Sequence, residues 1–126
     1  INTARWRFFE CTLIEIVSSN SEIIHMIQHI VQWKIKEEFN GVPKERLIQE
    51  FRTKLESLKD EIDEIDSLKV FINNLANGPQ SSDLCLISTH ENLDALHIYA
   101  NHPKHLEVVA FAKNIVVERR VVDAEW

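Results

Sequence analysis

Between Met26 and Lys36, in the run MIQHIVQWKIK, the side chains alternate with a period of two. Ile27, His29, Val31, Trp33 and Ile35 fall on one side, and Gln28, Ile30, Gln32 and Lys34 on the other. A helix would scatter these apolar positions around its circumference. The run therefore reads as a β-strand half buried against a core. His29 stands in the apolar row, either as a core histidine with a hydrogen-bond partner or as a group facing a pocket.

The residues after this strand limit the topology. Beyond Phe39-Asn40-Gly41-Val42, Pro43 can serve as an early helical residue, and Leu47, Phe51, Leu55, Leu58, Ile62 and Ile65 recur at spacings of four and three. That is one apolar stripe on a helix from Lys44 to Glu64, with mixed charges on its outer side. The acidic cluster Asp60, Glu61, Asp63, Glu64 and Asp66 lacks the alternating ligand order and the glycine of a calcium loop, so no metal is expected there. Ser67 to Asn73 and Asp83 to His90 alternate as two further strands around a loop marked by Asn77-Gly78-Pro79, a hairpin whose tip is a flap or a plain surface loop. A helix from Glu91 to His102 meets Pro103, which ends one helix and opens the next, Lys104 to Ile115. Val116 to Glu125 closes the chain as a strand, with Val117, Arg119 and Val121 on one face and Val116, Glu118, Arg120 and Val122 on the other.

The order is strand, helix, strand, strand, helix, strand. This predicts an α+β fold of the ferredoxin-like βαββαβ type, a four-stranded antiparallel sheet with its helices on one face. Ile30, Phe71 and Val122 leave apolar side chains on the other face, so a second copy is expected to cover it and make a homodimer, sheet against sheet. With 126 residues there is room for one such domain, residues 26–126. Met26 is the sole methionine and the chain opens without one, so residues 1–25 are expected to be an expression leader, an upstream extension or a genuine N-terminal arm.

Composition excludes several classes of function. Acidic residues outnumber Lys and Arg by 20 to 14, a net charge of −6, which argues against holding nucleic acid through its phosphates. No apolar run is long enough for a membrane span, since Phe8 to Val17 is broken by Glu10 and Glu15. Two cysteines, Cys11 and Cys85, make no disulfide framework, so a cytoplasmic setting is expected.

Chemistry concentrates in Tyr99-Ala100-Asn101-His102-Pro103-Lys104-His105, where a phenol and two imidazoles meet at a proline corner. A histidine can take a proton from a carbon next to a carbonyl, and a tyrosine hydroxyl can donate a hydrogen bond to the oxygen on which charge develops. Tyr99 and His105 are the candidate acid–base pair, with His29, Trp33 and His102 as pocket residues. The alternative is that Tyr99 and His105 bond to each other or to backbone and pin the corner. His102 and His105 have ligand-like spacing but no third ligand in view, so no metal is assigned.

These landmarks carry a resemblance. His29-Ile30-Val31-Gln32-Trp33-Lys34-Ile35-Lys36, the helix after it, the third strand, Tyr99 to His105 and the ending Val121-Val122-Asp123 together resemble the stress-responsive α/β-barrel family, Dabb, over about 100 residues. The resemblance implies a dimeric α+β barrel, no cofactor and a small apolar or aromatic ligand, for a protein with no established reaction. Its better understood members, plant polyketide cyclases, close a ring by an aldol step with a Tyr-His pair. By motif that pair is Tyr99 and His105, and His29 matches the first-strand histidine. The chain departs from the cyclases at Leu84, where they have a further histidine, and from the general pattern at His90, where an aromatic is common. A haem or aromatic-substrate monooxygenase of the same barrel architecture is a further alternative.

Overall fold

The computed structural model describes residues 26–75 and 78–125, so the expected N-terminal extension lies outside the described residues, as does Asn77 of the hairpin tip. Strand β1 (Ile27–Ile35) buries His29, Val31, Trp33 and Ile35, as its alternation requires. A small hairpin comes next, β2 (Glu38–Phe39) and β3 (Val42–Pro43). Its two-residue turn is Asn40-Gly41, at φ of 52° and 83°. Both angles are positive, as the mirror-image turns that join twisted strands demand, and Asn-Gly is the pair best suited to them. Pro43 consequently belongs to β3 with extended angles and precedes the helix instead of starting it.

Helix α1 (Lys44–Glu61) turns Leu47, Phe51, Leu55 and Leu58 inward, with Ile48 beside them. It stops short of the expected end at Glu64. Ile62 is already extended, although its N–H still bonds the Leu58 carbonyl at 3.0 Å. Carboxylates crowd this C-terminus, where the helix dipole favours cations. The core nevertheless receives both Ile62 and Ile65, delivered by the turn.

Strands β4 (Ser67–Ile72) and β5 (Leu84–His90) form the expected antiparallel hairpin, with Val70 opposite Leu86. Helices α2 (Leu93–Asn101) and α3 (Pro103–Ile115) come after it, separated by His102. The Asn92 side chain accepts the Ala95 N–H at 2.8 Å and so caps α2. Strand β6 (Val116–Glu125) returns along β1. The sheet order is β4-β5-β1-β6, antiparallel throughout, and α1 to α3 share one face of it. This is the ferredoxin-like arrangement that the order of elements predicts.

Two departures matter for the site. The register of β6 shifts beside Lys34 and Ile35, which leaves Val117 opposite no residue of β1. This bulge puts Val116 on the same face as Arg119, in place of the uninterrupted alternation read from the sequence. The helices also stop short of β6, most of which stays exposed on both faces. On the sheet's other face, Ile30 lies between Ile87 and Val122 in register, Val122 is 56% exposed and Phe71 on β4 is 47% exposed. Among the described residues nothing covers that row. No helix among them is long and apolar enough to cross a membrane.

Candidate functional site

The uncovered end of the sheet leaves an opening between β6 and the helices. Behind it lies a cavity of about 380 Å³. Its back wall is Val31, Trp33 and Leu86 from the sheet with Phe51 and Leu55 from α1. Val108, Val109 and Ala112 of α3 line the helix side, and Lys113, Val116 and Arg119 stand where α3 turns into β6. Trp33 and Phe51 meet edge to face, ring centres 4.8 Å apart, so this apolar wall is fixed by packing.

Three polar rings reach the cavity from the end that carries the proline corner: His29, Tyr99 and His105. The corner has a definite construction. The His102 N–H bonds the Tyr99 carbonyl at 3.1 Å, and the His102 ring Nδ1 accepts the Lys104 N–H at 3.0 Å, which caps α3 where Pro103 has no N–H to give. His105 then reaches back one turn, its Nδ1–H donating to the Ala100 carbonyl at 2.9 Å. A carbonyl can only accept, so the proton sits on Nδ1 and the lone pair on Nε2. His102 is spent on the backbone and does not line the cavity, which departs from the sequence reading of it as a pocket residue.

Tyr99 lies against His105 with ring centres 4.4 Å apart, yet the two form no hydrogen bond. Its hydroxyl has no hydrogen-bond partner among the described residues. Among them no sealed side-chain nitrogen or oxygen lacks a partner, so the Tyr99 hydroxyl keeps some accessible surface, and the residue lines the cavity. Burial pushes the phenol up to about 12. It remains a proton donor. Burial likewise lowers His105, with Arg119 and the other histidines adding to the effect against the raising bond to Ala100, so its imidazole stays neutral and basic at Nε2.

On the facing strand, His29 Nδ1 bonds Asp123 Oδ1 of β6 at 2.5 Å. The carboxylate accepts, and the second nitrogen of His29 is left as an acceptor. A carboxylate behind an imidazole supports the imidazolium that forms when the ring takes a proton. This gives His29 more than the wall position that the sequence suggested. His90, noted there only as a departure from pattern, stacks on Tyr99 at 4.9 Å and approaches His29 at 6.3 Å. It is fully buried, donates Nδ1–H to the Glu64 carbonyl and accepts from the Ser88 hydroxyl, both at 2.9 Å. His90 is thus a satisfied neutral brace for the phenol. Among the described residues no group of three or more His, Cys, Asp or Glu is placed to hold a metal.

A ferredoxin-like sheet with a pocket under its helices, an HPxH corner and a strand-borne His–Asp pair defines the class of fold and site. The sequence specifies the family further: residues 27–126 match the Stress responsive A/B Barrel Domain, Dabb, and the chain belongs to it. No curated protein matches the chain. Among solved structures it is similar to a dimeric ferredoxin-like protein of unknown function from Bacteroides fragilis, with 29% identity over 80% of this chain and 96% of that one, at a TM-score of 0.68. It is also similar in fold to a Dabb family protein from Mesorhizobium loti (17% identity, 79% and 95% covered, TM-score 0.55). A hydroxynitrile lyase from Passiflora edulis shares the fold as well (14% identity, 82% and 95% covered, TM-score 0.70).

Proposed function

We propose that this protein is a cytoplasmic homodimer that binds a small apolar or aromatic molecule in the cavity under its helices, and that it has no nucleic-acid partner. One observation carries the reading: the cavity of about 380 Å³ is walled by apolar side chains and reached by the Tyr99 hydroxyl, which has no partner among the described residues. Such a combination, an apolar body with a few convergent polar groups, is the usual make-up of a ligand site. Dimerisation is supported by the dimeric protein from Bacteroides fragilis that the chain resembles, and its placement on the Ile30–Ile87–Val122 face by that uncovered row. The test is a nuclear magnetic resonance screen of small aromatic and aliphatic carbonyl compounds. Compounds that bind should shift signals of α3 and β1, and Val109→Phe, which fills the cavity, should abolish the shifts. Shifts that persist unchanged in the filled variant would rule the cavity out.

A second reading, proton abstraction next to a carbonyl, is favoured by the tautomers of His105 and His29. His105 Nε2 accepts the proton from carbon, the C–H electron pair moves toward the carbonyl to form an enolate, and the Tyr99 O–H donates a hydrogen bond to its oxygen. His29, backed by Asp123, is positioned as a second base for the same step. Exchange of acetylacetone methylene hydrogens in D₂O provides the assay. His105→Asn is expected to slow the catalysed exchange by about 100-fold; an unchanged rate would remove His105 from the chemistry.

A further inference from the structure

Among the described residues that line the cavity, the Lys and Arg side chains are Lys113 and Arg119, and there is no Asp or Glu. In a chain whose net charge is −6, this is a local reversal of sign. Neither cation forms an ion pair or hydrogen bond among the described residues, whereas Lys44 is engaged by Glu37 and Asp83, Arg52 by Glu56 and Arg120 by Glu118. Of the two acids on the same face of β6, Asp123 and Glu125, the nearer is Asp123, four residues from Arg119, about 13 Å along a strand, and it is taken up by His29. Arg119 lies opposite Trp33 in the β1–β6 register, so its side chain starts on the cavity face of the sheet and lines the cavity, and the bulge at Val117 brings Val116 onto that same face.

We propose that the cavity selects a small amphiphile with an anionic head, a carboxylate or a similar oxyanion, seated between Arg119 and Lys113 with its apolar body against Trp33 and Phe51. This deepens the small-molecule reading above and rests on it. A guanidinium offers a planar fork of donors that matches a carboxylate, and Lys113 adds a point charge to the same lining. The Arg119 charge is also felt at the phenol and at His105, where it opposes protonation, so the anchoring and reacting ends of the cavity are electrostatically coupled.

Matched pairs of ligands separate the two ideas. Calorimetry with phenylacetate, 4-phenylbutanoate and octanoate, each against its uncharged primary amide, measures the preference for charge at constant shape. The wild-type protein should bind the carboxylates at least tenfold more tightly than the amides, with the advantage shrinking as salt is raised. Arg119→Met combined with Lys113→Met should bring the ratio to about one, and Arg119→Lys should keep part of the preference. Both positions are exposed, and unfolding curves would confirm that each variant is folded. Equal affinity for acid and amide in the wild-type protein would overturn this inference and leave the cavity as a ligand site. A preference that survives in the double variant would overturn the assignment to these two residues. Binding of no member of any pair at millimolar concentration would overturn both readings.

Discussion

At the scale of single residues, Tyr99 and His90 are opposites. The Tyr99 hydroxyl stabilises nothing within the described chain, so Tyr99→Phe should change the free energy of urea unfolding by less than about 0.5 kcal/mol while impairing proton exchange on a bound carbonyl compound. His90 is bonded at both nitrogens in a sealed site. His90→Leu strands the Ser88 hydroxyl and the Glu64 carbonyl and should lower stability by about 1–3 kcal/mol. Burial also holds the His90 and His105 imidazoles below the 6.5 of a free histidine. The unfolded chain therefore takes up protons near 6.5 that the folded chain refuses. Stability should be full above that value and fall as the pH drops below it. Thermal midpoints across this range should show the decline, and His90→Leu should flatten it. These residues are unevenly legible in the sequence. Tyr99 and His105 are announced by the HPxH corner, but Asp123 meets His29 across 94 residues, and only the β1–β6 register reveals the pair.

At the scale of elements, periodicity is a sufficient guide wherever one face is buried. β1, β4, β5 and the inward stripe of α1 come directly from it. The features it misses obey rules that periodicity does not contain. The β2–β3 hairpin is written in Asn40-Gly41, a turn signal, and escapes a periodic reading because two-residue strands have no period. α1 ends early although Ile62 and Ile65 continue the stripe, because a turn can bury the same side chains that a helix would. The bulge at Val117 reverses the facing of Val116 without any mark in the alternation. Gly41 gives this scale its test. At φ of 83°, with no neighbour near the space of an added Cβ, Gly41→Ala is opposed by backbone strain alone and should lose about 1–2 kcal/mol in unfolding experiments. A smaller loss would mean that the turn relaxes freely and does not anchor the start of α1.

At the scale of the molecule, the two faces of one sheet have separate tasks. The helix-covered face holds the core and, where the helices fall short of β6, the cavity. The opposite face carries the Ile30–Ile87–Val122 row, and it is the face we propose for the partner copy. Ile30→Asp places a charge in the centre of that row and should give monomers in light scattering, with little change in the cavity on the other side of the sheet. A dimer of undiminished stability would place the interface elsewhere. On the cavity side, a small molecule is expected to enter beside Arg119 and lie with an oxygen at the Tyr99 hydroxyl. A crystal structure of the protein with an aromatic keto acid tests this most directly. The predicted result is density within the cavity, a ligand carbonyl oxygen within hydrogen-bond distance of Tyr99 Oη and the carboxylate at Arg119. A cavity closed by Trp33, Phe51 and Val109, with the compound absent or bound at another surface, would contradict it.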